Sequence, residues 1–195
     1  YKELVYEKAL PDYFSWAPTE NFISLRTNSK WCRSLGRRIG WIEAPEFVIE
    51  AMEDVQSYTI LSPDKLHQMA FGKFITTSIE DGSLDVYLEK IRKLYKNTAE
   101  KTAEIIQKHL DFPIIQPEGG LYIFMKVNTD STKFVETVLA KTGVLFIPGQ
   151  GFGITGKNAV RVSFGPLVEE IDKIELGIVK TAKYLNKIKP FLKTN

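Results

Sequence analysis

Over residues 84–110, Leu84, Tyr87, Leu88, Ile91, Leu94, Tyr95, Thr98, Thr102, Ile105 and Ile106 recur at intervals of three and four. That period gathers them on one stripe of a helix whose other surface is rich in Lys and Glu. A helix of this length often bridges two domains, so the pattern on either side of it reads as two regions. Before it, β-prone runs cover 22–27 and 36–42. Helical spacing covers 45–55, with Phe47, Val48, Ala51, Met52 and Val55 on one side, and again from Pro63 through Ile75. Strand and helix alternate there, as in α/β layers.

After the long helix the elements shorten. Strands are expected over 112–115, 121–127, 144–147 and 159–164, and a helix over 131–141 that Asp130 or Ser131 could cap. From Pro166 a closing amphipathic helix would place Leu167, Ile171, Ile174, Ile178, Ala182 and Leu185 inward. This half reads as a small α+β layer with helices on one face of a short sheet.

Composition narrows the function classes. The 26 basic and 24 acidic residues leave a formal charge of +2, which calls for neither nucleic acid nor an anionic membrane, so the expected partner is a small molecule. With one cysteine, Cys32, and two histidines, His67 and His109, neither an internal disulfide nor a zinc site of the usual kind can be assembled, and a cytoplasmic setting is expected. No apolar run approaches the roughly 20 residues that span a bilayer. The chain has no initiator Met and reads as a piece that begins inside a domain.

The chemistry concentrates in Thr27-Asn28-Ser29-Lys30-Trp31-Cys32-Arg33-Ser34-Leu35-Gly36-Arg37-Arg38-Ile39-Gly40-Trp41. A hydroxyl lies three residues before a lysine, and Gly36, Arg38 and Gly40 follow that lysine by six, eight and ten. The segment resembles the cofactor-lysine motif of class I/II aminotransferases of fold type I, Ser/Thr-x-x-Lys followed by Gly-x-Arg-x-Gly. The resemblance implies that Lys30 forms the Schiff base with pyridoxal 5′-phosphate (PLP) and serves as acid and base, for which burial beside other cations would tune its amine. It also implies that Thr27 and Arg38 bind the cofactor phosphate, a guanidinium fork being able to hold two oxygens. Leu35 stands where the family usually has Pro.

Further segments match in family order. Pro117-Glu118-Gly119-Gly120-Leu121-Tyr122-Ile123-Phe124 resembles the opening of a small-domain strand, and Pro148-Gly149-Gln150-Gly151-Phe152-Gly153 resembles the family's Pro-Gly loop. Val160-Arg161-Val162-Ser163-Phe164 resembles the strand whose arginine, here Arg161, clamps the substrate carboxylate. Tyr1 falls where a tyrosine hydroxyl bonds the cofactor's 3′ oxygen, with the Asp of that motif absent. The resemblance implies that 1–90 is the C-terminal part of a large PLP-binding domain and 91–195 a small C-terminal α+β domain. It further implies transfer of an amino group between an amino acid and a 2-oxo acid, no metal, and a homodimer with its site at the subunit boundary. Within the family the chain looks most similar to the aminoadipate, kynurenine and multisubstrate branch. A PLP-binding regulatory module without transaminase activity is the alternative reading.

One rival motif occurs. Gly151-Phe152-Gly153-Ile154-Thr155-Gly156 satisfies G-x-G-x-x-G and, with Lys157, nearly a P-loop. Asn158 stands where a magnesium-binding hydroxyl is needed, and a strand over 159–164 stands where both motifs need a helix N-terminus. These glycines are read instead as a mobile loop beside the substrate site.

Overall fold

The computed structural model describes residues 1–6 and 21–192, without the side chains of 35 and 188–192. The chain divides into two compact units, Tyr1–Arg92 and Lys93–Asn195.

In the first unit, β1 (Ser24–Thr27) and β2 (Gly40–Glu43) form an antiparallel ribbon that pairs Ser24 with Glu43 and Thr27 with Gly40. Arg26 Nε lies 2.8 Å from Glu43 Oε1 across it. Strand β2 is shorter than the β-prone run over 36–42, because Leu35–Arg37 makes a 3-10 turn that ends on Arg38 in the left-handed region, φ 53°. Helix α1 (Glu46–Thr59) follows Pro45, and α2 (Lys65–Glu80) starts at Asp64, whose carboxylate accepts hydrogen bonds from the Leu66 and His67 amides. Such caps satisfy amides that the first helical turn leaves without partners. The apolar stripe of α1 is uncovered among the described residues: Phe47 is 62% exposed and Tyr58 90%.

Helix α3 (Ser83–His109) follows a turn in which Asp81 Oδ1 accepts from the Ser83 amide at 2.9 Å and Gly82 takes a positive φ of 73°. The boundary between the units falls within this helix.

In the second unit four strands, β3 (Ile114–Ile115), β4 (Tyr122–Lys126), β5 (Ile147–Pro148) and β6 (Ala159–Ser163), form an antiparallel sheet in the order β3-β4-β6-β5. The two-residue alternation of β4 and β6 sorts their side chains by face. Ile123, Met125, Val160 and Val162 are buried, whereas Tyr122, Phe124, Arg161 and Ser163 occupy the other, half-buried face. Helix α4 (Ser131–Thr142) is capped by Asp130, which accepts from the amides of Thr132 and Lys133, and Phe134, Val135 and Val138 of its inner side are buried. Along α3, Tyr95, Ala99, Thr102 and Ile106 are buried, and the Thr98 hydroxyl bonds the carbonyls of Leu94 and Val168.

Several boundaries differ from expectation, β3 starting at Ile114 rather than at 112. Strand β5 starts at Ile147, the last residue of the run expected over 144–147, and ends at Pro148, where Gly149 turns the chain away. Helix α5 (Ile171–Leu192) starts later than Pro166, because Gly165–Leu167 forms a separate 3-10 turn. The amides of Phe164 and Gly165 both donate to the Leu121 carbonyl there, so the backbone is already committed.

Candidate active site

In the first unit the site is built on the loop that joins β1 to β2. The Asn28 carbonyl accepts from the Cys32 amide at 3.1 Å and the Lys30 carbonyl from the Arg33 amide at 3.2 Å, so Lys30 sits half-buried in a single helical turn. Arg33, with φ 53°, ends that turn. Trp31 donates from Nε1 to the Thr27 carbonyl at 3.1 Å, and Tyr87 of α3 donates its hydroxyl to the Trp31 carbonyl at 2.9 Å.

The Thr27 hydroxyl closes the loop by donating to the Ile39 carbonyl at 2.8 Å. Its proton being used there, Thr27 Oγ1 accepts from the Ser29 amide at 3.2 Å and from the Ser29 hydroxyl at 2.9 Å. Because Thr27 is paired with Gly40, Arg38 returns to the lysine's end of β1, with its side chain exposed. The hydroxyls of Thr27 and Ser29 thus lie on the lysine's turn with their protons spent within the loop, and the backbone returns Arg38, whose guanidinium is of a kind suited to a phosphate, to the same end of the ribbon. Ser29, adjacent to the lysine and buried, was not singled out in the sequence, although its hydroxyl one position before Lys30 was a readable signal.

Tyr1 and Thr27 line one cleft of about 370 Å³ together with Arg26, Trp31 and Trp41. Tyr1 is exposed and its carbonyl accepts from the Leu4 amide at 2.9 Å. Lys30 and Arg38 are not among the residues lining that cleft. Cys32, on the lysine's turn, has a thiol pushed up by burial, an effect that its hydrogen bond to Ser34 partly offsets.

In the second unit, Arg161 lies on the half-buried face of the sheet, between Phe124 of β4 and Ile147 of β5. Its guanidinium carbon lies 4.2 Å from the centre of the Tyr122 ring and 4.9 Å from that of Phe152. Phe152 itself packs edge-on against Phe124, 5.9 Å between centres. Arg161 Nε is buried and has no hydrogen-bond partner among the described residues. A planar cation held between two rings with a donor to spare is suited to a carboxylate. The sequence marked Arg161 and Phe152 by resemblance, while Tyr122 follows only from the register of β4 against β6.

Phe152 is carried by the glycine-rich segment, whose end glycines Gly149 and Gly156 are packed while residues 150–155 between them are exposed. Gly149–Phe152 and Ile154–Gly156 are successive 3-10 turns, with Gly149 and Gly156 buried against each other and the Gln150 amide bonded to Ser131 Oγ at 3.3 Å. Strand β6 follows directly, so no helix N-terminus exists there to hold a nucleotide phosphate.

A sequence profile described as aminotransferase class I and II matches residues 1–174. Aromatic-amino-acid aminotransferase 2 of Thermococcus litoralis is 28% identical over 160 residues, covering 79% of this chain and 39% of that protein. A crystal structure of Pyrococcus protein-A1 is similar with a TM-score of 0.83 and 26% identity, over 97% of this chain and 48% of that one. The α-aminoadipate aminotransferase LysN of Thermus thermophilus shares the fold, with a TM-score of 0.81 at 21% identity over 98% of this chain and 49% of its own. The chain therefore spans less than half the length of each of these proteins. No helix among the described residues is long and apolar enough to cross a membrane. The match over residues 1–174 places the chain in the class I and II aminotransferases, a family known to use PLP.

Proposed function

We propose that the protein is a PLP-dependent aminotransferase moving an amino group between an amino acid and a 2-oxo acid, with Lys30 as the cofactor lysine. One observation carries this reading. The turn bearing Lys30 is closed by the Thr27 hydroxyl on the Ile39 carbonyl, which returns Arg38 and the hydroxyls of Thr27 and Ser29 to the lysine's end of β1.

In this reading Thr27 and Arg38, with Ser29, hold the cofactor phosphate, and Tyr1 lies in the adjoining cleft as the donor to the ring's 3′ oxygen. PLP, when bound, supplies an electron sink that makes the Cα proton of an amino acid removable. The Lys30 amine would anchor the cofactor and, once displaced by the substrate's amino group, would take the Cα proton and return one to the cofactor's C4′ carbon, work for which an amine of tuned basicity is suited. Arg161 orients the substrate carboxylate, filling its spare Nε donor. The complete protein is read as a homodimer, and the apolar side chains that α1 leaves exposed among the described residues are of the kind an interface covers.

The test is amino transfer by the complete protein and by its Lys30→Ala variant. Wild type should show a near-visible absorption band with PLP and convert an amino acid in the presence of 2-oxoglutarate, while Lys30→Ala loses both yet unfolds at a similar temperature. Transamination retained by Lys30→Ala rejects the role. A near-visible band without turnover in wild type would favour the regulatory module.

A further inference from the structure

Residue 28 carries an amide side chain between the hydroxyls of Thr27 and Ser29, two residues before the proposed cofactor lysine. Asn28 is 0% exposed. Its backbone carbonyl closes the turn that holds Lys30. Its side-chain Nδ2 lies 3.3 Å from Nε2 of His67, a residue of the first turn of α2. An amide nitrogen can only donate, so Nε2 accepts. The other end of the amide, Oδ1, is buried and has no partner among the described residues.

His67 is itself well fixed. Its backbone amide donates to Asp64 Oδ1 at 3.3 Å, within the cap that starts α2. Its ring stacks on Phe71, 6.3 Å between centres at 27°. Phe71 in turn meets Trp31, 6.0 Å away, and Trp41, 5.8 Å away. The lysine's turn is therefore gripped from outside at two places, at Asn28 by His67 and at the Trp31 carbonyl by the Tyr87 hydroxyl.

This arrangement is a poor way to gain stability. An apolar residue at position 28 would fill the same space without burying a carbonyl oxygen whose desolvation no described residue repays. A directional bond retained in spite of that cost acts by fixing geometry. We propose that His67 is a positioning residue for the Lys30 amine: through Asn28 it fixes the turn and hence the direction in which the lysine side chain leaves the backbone. The proposal rests on the reading of Lys30 as the cofactor lysine, but its test does not need the cofactor.

The experiment measures how fast an acylating reagent at limiting concentration modifies Lys30, relative to the exposed Lys141, by peptide mass spectrometry on the folded chain. Two variants separate positioning from packing. His67→Phe keeps a ring to stack on Phe71 and removes the acceptor, whereas His67→Gln restores an acceptor for the Asn28 amide. Freeing the turn should raise the Lys30 to Lys141 ratio about threefold or more in His67→Phe. His67→Gln should return it close to the wild-type value, and the thermal midpoint of His67→Phe should fall by no more than the few degrees that leaving the Asn28 amide unpaired costs.

An unchanged ratio in His67→Phe, or an equal rise in both variants, overturns the proposal. Should His67→Phe not fold, Asn28→Leu, similar in size and without polar atoms, gives the same reading. Its ratio should rise as for His67→Phe, and no rise overturns the proposal. The two levels fail separately. Absence of PLP attachment at Lys30 in the complete protein rejects the cofactor reading, whereas attachment together with an unmoved ratio rejects only the role of His67.

Discussion

Gly149 and Gly151 stand two residues apart on the turn that sets Phe152 over Arg161, and their surroundings predict opposite responses to one added methyl group. At Gly149 a Cβ would meet the carbonyl oxygens of Ala159 and Gly156, the latter at 2.5 Å. That is about 1 Å inside ordinary contact, where repulsion rises steeply. Both obstacles are backbone, one belonging to β6, so neither can swing aside as a side chain would. Overpacking typically costs about 1–3 kcal/mol, and the upper part of that range applies where nothing flexible can yield. For a chain of this size each kcal/mol lowers the thermal midpoint by roughly 2–4 °C, so Gly149→Ala should lower it by about 6–12 °C. At Gly151 a Cβ meets nothing within 4 Å. Gly151→Ala should leave the midpoint within about 2 °C, or raise it slightly by restricting the unfolded chain. Circular dichroism melts of the three proteins decide the matter. Equal midpoints for the two variants would refute the packing of the double turn.

Other outcomes follow from the same geometry. Arg161→Met keeps a long apolar stem between Tyr122 and Phe152 and removes a buried unpaired donor, so the melting temperature should move little, while KM for the amino-acid substrate of the complete enzyme should rise at least tenfold, by roughly the 1.4 kcal/mol that a lost charged contact exceeds. An unaltered KM would remove Arg161 from the site. The Cys32 thiol, pushed up by burial, should react with iodoacetamide more slowly than free cysteine at pH 8, its rate rising only at a pH above that at which free cysteine ionises. A rate equal to that of free cysteine would contradict the burial. The hydrogen bond from His109, with the Lys108 charge beside it, holds the Glu175 carboxyl below the usual glutamate range. Because the folded-state value is the lower one, any stabilisation from this cluster is present above the ordinary glutamate range and is lost as pH falls through the folded value. An NMR titration of Glu175 should show that depression in wild type and less of it in His109→Ala.

Where a helix is long and its period regular, the sequence announced it with little ambiguity. The stripe from Leu84 to Ile106 became α3, and residue type and position narrowed the cap of α4 to Asp130 or Ser131, of which Asp130 is the one that caps. The segment around Lys30 stood out because five fixed positions lie within fourteen residues of sequence, and Arg161 through the resemblance of its strand to the family's arginine strand. What escaped was non-local. The hydrogen bond from Asn28 to His67 crosses 39 residues, and no pattern within either segment signals it. Tyr122 was placed beside Arg161 only by the register of two strands. The glycine-rich segment was expected to be a mobile loop, yet Gly149 and Gly156 are required there because two backbones touch, a constraint that composition does not express. The apolar stripe of α1 was read correctly as a stripe, while the fact that it stays uncovered among the described residues depends on what surrounds it.

The claim on which the rest depends is that one amine, that of Lys30, attaches the cofactor. Incubating the complete protein with PLP, reducing with borohydride and mapping the product by peptide mass spectrometry tests it directly. The account predicts a stable pyridoxyl group on Lys30 that is absent in Lys30→Ala and diminished in Arg38→Ala. A pyridoxyl group on another lysine, or none under conditions in which the protein is folded, would contradict it.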